Sequence, residues 1–127
     1  MYFQRFIVSD SGESDSRKIP LIFYRNRAGA EPVLDWLRGL PAEERKEVGR
    51  DLMRVQWRWP VGMPLCRSLG GGLWEVRSNL PGCIARVMFC IHDGSIVALH
   101  GFTKKTQKTP KADLDLAKRR MKKVTRA

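Results

Sequence analysis

The stretch "CIARVMFCIHDGSIVALHGF" (residues 83–102) determines the fold expected of this 127-residue chain. Its first nine residues are almost wholly apolar, which is typical of a central β-strand. The tight-turn signal "HDG" (92–94) follows, and "SIVALHGF" (95–102) then reads as a second strand, so the stretch predicts a β-hairpin. Arg86 is the single charge in the first strand. A lone charge in so apolar a strand makes Arg86 a candidate functional residue.

A further strand is predicted just before the hairpin, in "LWEVRS" (73–78). Apolar and polar residues alternate there, and alternating side chains of a strand lie on opposite faces. Trp74 and Val76 need a hydrophobic core, so we expect Glu75 and Arg77 on the other face of the sheet.

Strand and helix patterns also occupy the two ends of the chain. Residues 19–25 predict a strand, and residues 31–40 and 42–59 predict two helices whose short link favours an antiparallel hairpin. Residues 109–124 predict a closing helix, with Thr109 as its cap. Apolar residues at helical spacing give each helix one buried face: Val33, Leu34, Trp36, Leu37 and Leu40; then Val48, Leu52, Val55 and Trp59; then Leu114, Ala117, Met121 and Val124.

This order of elements predicts an α+β fold. We expect a small antiparallel β-sheet with an N-terminal helical hairpin packed on one face, followed by a C-terminal helix. The helices should cover one face of the sheet and leave the other partly open. Residues 1–18 are expected to be a flexible extension, because "SDSGESDS" (9–16) is polar and low in complexity. Residues 19–127 then form a single domain.

The charge of the chain points to a polyanionic partner. The formal net charge is +11 and the pI is about 10.2, which favours nucleic acid ahead of a membrane surface. From Gly101 to the C-terminus, ten Lys or Arg residues face only two acidic residues, and a concentrated basic patch is a stronger sign of phosphate binding than a diffuse one. The alternative is a basic protein whose charges are merely solvated.

Cysteine usage and hydropathy predict a cytoplasmic protein without a metal or other cofactor. The three cysteines include no C-x-x-C pair, and the spacing of Cys83, Cys90 and His92 fits no standard metal site. Cys90 lies in an apolar run and is expected in the core. The sequence shows no signal peptide and no apolar run of membrane length.

Strand alternation brings candidate functional residues together. Arg86 should share a face with Arg77, and two facing arginines repel unless Glu75 or a bound phosphate offsets them. The alternative interpretation is that each arginine is one half of an ordinary ion pair. Lys104 and Lys105 follow the last strand, where they contact substrate or form a solvated loop. His100 is expected on one face with Ala98 and Phe102, and such a histidine is more often structural than catalytic.

Four segments, in order, resemble a known family. They are "EPVLDWLRGL" (31–40), "LGGGLWEVRS" (69–78), "RVMF" (86–89) and "LHGFTKKTQKTP" (99–110). Together they are similar to the phage-derived HigB-like toxins of the RelE/ParE superfamily, over about residues 21–124, and the last segment is the most specific. The resemblance implies the toxin of a type II toxin–antitoxin pair, acting as a ribosome-dependent endoribonuclease on mRNA in the 30S A site. It also implies a cognate antitoxin, of the Xre helix-turn-helix type.

The resemblance assigns roles to residues of this sequence. Arg86 matches a strand arginine that contacts the scissile phosphate, Arg77 closes the "LWEVR" motif, and Lys104 or Lys105 matches a basic residue after the last strand. Several superfamily members use a tyrosine or histidine near the last strand or the C-terminus as the acid–base group, but no tyrosine follows Tyr24 here. The residues left for that role are His100, His92, Glu75 and the lysines. The residues expected to bind RNA are Phe102, by stacking on a base, and Lys108, Lys111 and Arg67.

Such cleavage needs no metal. The 2′-hydroxyl attacks the adjacent phosphorus and leaves a 2′,3′-cyclic phosphate and a 5′-hydroxyl, while arginine stabilises the added negative charge. Two functions from other classes remain open at this point. They are a non-catalytic nucleic-acid-binding module and a gyrase-directed inhibitor of the ParE kind.

Overall fold

The computed structural model describes residues 18–126, and within them the chain forms five strands and three helices. All but Lys18 of the expected extension, residues 1–18, lies outside the described residues. The elements in chain order are β1 (Leu21–Phe23), α1 (Pro32–Arg38), α2 (Ala42–Arg58), β2 (Cys66–Gly70), β3 (Leu73–Leu80), β4 (Cys83–His92), β5 (Ser95–Lys104) and α3 (Lys111–Thr125). Every predicted element is present.

The five strands form one mixed sheet in the order β1-β5-β4-β3-β2. Strands β2 to β5 are an antiparallel meander, and β1 pairs in parallel with β5. The α+β class is therefore confirmed, with a mixed sheet in place of a purely antiparallel one. The helices carry the chain from β1 to the far edge of the sheet, and three reversals then return β5 beside β1 in the same direction.

Strand β2 was not predicted. Its sequence, CRSLG, has no clear alternation, and only Cys66 is buried. A bulge between Ser68 and Gly70 also interrupts its pairing with β3. Because β2 is an edge strand held mainly by backbone pairing, its side chains carry little of the pattern that marks a buried strand.

Helices cover both faces of the sheet. Helices α1 and α2 pack on one face, with Val76, Val87, Phe89 and Ala98 beneath them, whereas α3 packs on the other. The expectation that all helices share one face is therefore wrong. The reason is a second set of apolar side chains, which need cover of their own and which only α3 supplies: Leu73, Met88, Cys90, Val97 and Leu99.

A β-bulge changes which residues of β5 face α3. Phe89 pairs with Ala98 but Met88 pairs with His100, so Leu99 has no partner on β4. Ala98 consequently faces α1 and α2, while Phe102 faces α3 and His100 reaches it, contrary to the shared face expected from simple alternation. Arg120 of α3 donates to the Leu99 carbonyl at 2.8 Å, which satisfies an acceptor at the bulge.

The described helices include none that is both long enough and apolar enough to cross a membrane.

A close contact between β5 and α1 gives a test of the fold. A Cβ at Gly101 would lie 2.4 Å from Cε3 of Trp36, so Gly101→Ala forces the ring or the strand to move. We expect the free energy of unfolding to fall by about 1–3 kcal/mol, as for other overpacked sites. Urea denaturation measures it. Gly62→Ala is the matched control, because a Cβ there meets nothing within 4 Å; equal stabilities for the two variants would contradict the packing.

Candidate functional site

Two arginines lie side by side on the face of the sheet that α3 covers. Arg77 of β3 and Arg86 of β4 are direct cross-strand partners, as strand alternation predicted. Facing guanidinium groups repel each other, so this arrangement needs negative charge nearby. Glu75, two residues before Arg77 on the same strand and face, supplies it.

The Glu75 carboxylate is fully buried and bonded at both oxygens. Oε1 accepts from Arg77 Nε at 2.8 Å, and Oε2 accepts from the Thr109 hydroxyl at 2.8 Å. The Thr109 hydroxyl therefore does not cap α3, as the sequence predicted; Pro110 occupies the cap position without a side-chain hydrogen bond. Glu75 acts as the counter-ion of the arginine pair, and Thr109 helps to fix its orientation.

Arg86 is the largest fully buried side chain of the described residues. Its Nη2 donates to the Thr106 carbonyl, its Nε lies 3.9 Å from Glu75 Oε2, and its Cζ lies 5.7 Å from the centre of the Phe102 ring. Nε and Nη1 have no hydrogen-bond partner within the described part of the chain. Leaving a buried donor unpaired costs about 1–3 kcal/mol, and more for a charged group, so this guanidinium is poorly satisfied.

The electrostatic surroundings of Arg86 also favour an added anion. Burial lowers the pKa of Arg86; Glu75 and Asp113 oppose that shift, while Arg77 and Arg67 add to it. An arginine still keeps its proton at neutral pH, because its ordinary pKa is about 12 or higher. The site therefore holds a charged guanidinium whose negative neighbours do not fully offset burial and like charge.

A covering segment, residues 105–110, closes over this pair. Arg77 Nη2 donates to the Gln107 carbonyl at 2.8 Å, and Nη1 donates to Gln107 Oε1 at 3.2 Å. The Thr106 carbonyl accepts from Arg86, as described above. The sequence predicted a partly open face here, whereas the segment and α3 cover it. Thr106 and Gln107 were missed because they act largely through main-chain oxygens, which leave no signal in the sequence.

His100 and Phe102 form a second group beside Arg86. His100 Nε2 lies 2.7 Å from Asp113 Oδ1 on α3, and the His100 ring stacks on Phe102 with centroids 5.3 Å apart. Phe102 is only 8% exposed. The face of Phe102 that we expected to stack on a base is thus engaged by protein contacts. Asp113, a partner that the sequence did not reveal, lies in the first turn of α3.

Exposed cations surround the buried pair. Lys104 ends β5 opposite Ile84, and Arg67 lies on β2 opposite Glu75. Residues 102 and 104 share one side of β5, so Lys104 shares the face of Phe102 and Arg86, whereas Lys105 lies beyond the strand. Other exposed lysines extend the basic surface along the covering segment and into α3: Lys105, Lys108 and Lys111.

The other acid–base candidate, His92, and the cysteines do not add chemistry to this site. His92 lies at the other end of β4, six residues or about 20 Å from Arg86. The described residues include no group of three or more His, Cys, Asp or Glu side chains that could hold a metal ion. Burial raises the pKa of the Cys66 thiol to about 12 and that of Cys90 to about 11, so neither is a ready thiolate.

The fold and site define a class: small, basic α+β proteins in which a lysine-rich segment covers a pair of sheet arginines, one fully buried and one largely buried. The family model described as "Phage derived protein Gp49-like (DUF891)" matches residues 35–122, from α1 to α3. The match covers more than half of the chain and includes every site residue named above, and the chain belongs to this family, which is associated with RelE- and HigB-like toxins. A search of curated proteins found no match.

The buried carboxylate gives a prediction about stability. Glu75→Gln keeps the side-chain shape but removes the charge that offsets Arg77 and Arg86, so we expect the free energy of unfolding to fall by about 3 kcal/mol. Glu47→Gln is the matched control, because the Glu47–Arg50 pair (2.7 Å) is exposed and such pairs contribute about 0–1 kcal/mol. Denaturant unfolding measures both, and equal losses would show that Glu75 is not the counter-ion of the site.

Proposed function

We propose that this protein is the toxin of a type II toxin–antitoxin pair, acting as a metal-independent endoribonuclease on mRNA in the ribosomal A site. The observation that carries the proposal is Arg86, a buried guanidinium beside Arg77 with two donors that have no hydrogen-bond partner among residues 18–126. Membership of a toxin-associated family supports it. So do the exposed lysines at the end of β5, in the covering segment and at the start of α3, which suit a nucleic-acid backbone.

The chemistry follows from what arginine does for phosphate. The 2′-hydroxyl attacks phosphorus, the bond to the 5′-oxygen breaks, and the products are a 2′,3′-cyclic phosphate and a 5′-hydroxyl. Negative charge builds on the phosphoryl oxygens during the attack, and preorganised donors stabilise it best where water is excluded. Arg86 and Arg77 supply such donors, and Glu75 holds Arg77 in place by its Nε.

We propose that one of two residues moves the protons. Lys104 is exposed at the end of β5 on the face of Arg86, and it can protonate the leaving oxygen. His100 is the second candidate, because its Nε2 lies 2.7 Å from the Asp113 carboxylate, which orients the ring and leaves Nδ1 to exchange a proton with substrate. Glu75 is the least suited, since both of its oxygens are bonded within the protein.

The proposed partners are mRNA on the 30S subunit and a cognate antitoxin of the Xre helix-turn-helix type. The excess of ten basic over two acidic residues after Phe102 favours rapid, salt-sensitive binding to either partner. The two alternatives are a non-catalytic nucleic-acid binder and a gyrase-directed inhibitor. Both predict growth effects without new mRNA ends, so mapping mRNA 5′ ends after induction separates them from the nuclease.

The role of Arg86 is tested by Arg86→Lys. This variant keeps the charge but loses the planar fork that matches phosphate oxygens, and it avoids the cavity that Arg86→Ala would open. We expect induction of the parent to arrest growth and generate new mRNA 5′ ends. Arg86→Lys should lower the cleavage rate by roughly 10²–10³, by analogy with loss of one oxyanion donor, and relieve the arrest.

Arg50→Lys serves as the control for that experiment, because Arg50 forms an exposed pair with Glu47. Thermal unfolding checks that both variants are folded. Undiminished cleavage by a folded Arg86→Lys protein would remove Arg86 from the site. Rescue of growth by the product of the neighbouring gene would support the antitoxin.

The proton donor is tested by single-turnover cleavage on programmed ribosomes. We expect Lys104→Gln to lower the rate by about 10²–10⁴ even at saturating protein, because its loss acts in the transition state. Lys105→Gln should instead recover full rate at saturation and reduce the salt slope of binding by about one. Full recovery by both variants would exclude lysine, and Asp113→Asn, which releases His100, would then have to lower the rate.

A further inference from the structure

The covering segment is bound by the very donors that a phosphate would need. Arg86 Nη2 donates to the Thr106 carbonyl, and Arg77 Nη1 and Nη2 donate to the side chain and main chain of Gln107. Guanidinium groups that bind phosphate use the same planar fork of N–H donors. In the closed arrangement, protein oxygens therefore accept hydrogen bonds from the same N–H groups that would bind the oxygens of an anion.

Little else holds the segment in place. Residues 105–109 belong to no helix or strand, and no backbone-to-backbone hydrogen bond ties them to the rest of the described chain. Among the described residues, the other side-chain hydrogen bond between this segment and the sheet is the one that the Thr109 hydroxyl donates to Glu75. Lys105 to Lys108 are all exposed. Few buried contacts and few backbone bonds are the features of a segment that opens locally.

The arginine N–H donors of the site are less well satisfied in the closed arrangement than they would be with an anion bound. Thr106 and Gln107 offer neutral carbonyl oxygens, whereas a phosphodiester offers charged ones, which form stronger hydrogen bonds to guanidinium. Arg86 Nε and Nη1 also find no hydrogen-bond partner beneath the segment in the part of the chain that the structure describes. An anion that enters beside Arg86 replaces weak bonds by stronger ones and reaches donors that the segment leaves unused.

We propose that residues 105–110 form a displaceable strap that closes the Arg77–Arg86 pair in the unliganded protein, and that a phosphate group opens it by taking the donors now bound to Thr106 and Gln107. The identity of the natural anion as RNA rests on the proposed function, whereas the strap itself does not. Its closed population lowers the apparent affinity of the site for anions. Opening also moves Lys105 and Lys108, which belong to the strap, together with the phosphate backbone that has bound.

The test loosens the strap without touching either arginine. Gln107→Ala removes the Oε1 contact to Arg77, and inorganic pyrophosphate serves as the probe because it needs neither a ribosome nor cleavage. One hydrogen bond to a charged group corresponds to a change of roughly ten- to a hundredfold. We expect calorimetry to show pyrophosphate binding tighter by that factor, and trypsin to cut after Lys105 and Lys108 faster by a similar factor.

Thr106→Ala is the matched control within the same segment. It keeps the carbonyl that accepts from Arg86 and removes only a long hydroxyl contact to the Lys108 carbonyl (3.4 Å) inside the segment, so it should bind pyrophosphate as the parent does. The sign of the change in pyrophosphate affinity distinguishes two roles for Gln107. If Gln107 merely helped to bind anions, its removal would weaken pyrophosphate binding. Equal or weaker pyrophosphate binding by Gln107→Ala overturns the strap, as does a parent protein that binds no pyrophosphate.

The outcome is separable from that of the nuclease proposal. If Gln107→Ala binds pyrophosphate more tightly while the parent cleaves no mRNA on ribosomes, the strap is supported and the nuclease proposal fails. If the parent cleaves mRNA but Gln107→Ala shows neither tighter binding nor faster trypsin cutting, the nuclease stands and the strap is overturned.

Discussion

The site depends on one ion cluster, in which the fully buried Glu75 carboxylate lies beside the fully buried guanidinium of Arg86 and beside Arg77, whose side chain is 17% exposed. Taking two charges fully and a third largely out of water is expensive, and their mutual attraction offsets it only when the geometry is good. One carboxylate faces two guanidinium groups, so the cluster keeps an excess of one positive charge. A phosphodiester carries one negative charge, which makes it an electrostatic complement of the cluster.

The β-bulge at Leu99 determines which side chains join that cluster. Without it, Phe102 and His100 would continue the face of Ala98 and pack under α1 and α2, away from Arg86. The shift in pairing between Met88 and Phe89 turns them toward α3 instead. It also places Lys104 on the face of Arg86. Bulges are frequent next to functional sites because they re-aim side chains in this way, and the Arg120 bond to the Leu99 carbonyl keeps this one satisfied.

Strand alternation and helical spacing in the sequence correctly predicted those elements that local residue patterns determine. Strand alternation in "LWEVRS" and the apolar run around Arg86 correctly placed Arg77 opposite Arg86, and helical spacing gave all three helices. Alternation failed where a bulge changes the count, and it missed β2, whose pairing is mainly backbone. The covering segment was also unpredictable, because Thr106 and Gln107 act through carbonyl oxygens that every residue type has. Whether a sheet face is open to solvent depends on tertiary packing, so only the structure could show that this face is covered.

Two populations of cations in this protein respond differently to salt. The exposed group, which includes Lys104, Lys105 and Lys108, is screened over about 8–10 Å at physiological ionic strength. Arg86 is buried and is screened much less, so the charge that it can offer to a phosphate changes little with salt. Salt should therefore control how often a polyanion reaches the sheet face, while the stabilisation of charge at phosphorus stays nearly constant. On the proposed function, that division assigns recruitment to surface cations such as Lys105 and Lys108 and charge stabilisation to the arginines of the sheet, which is the arrangement that preorganised electrostatic catalysis requires.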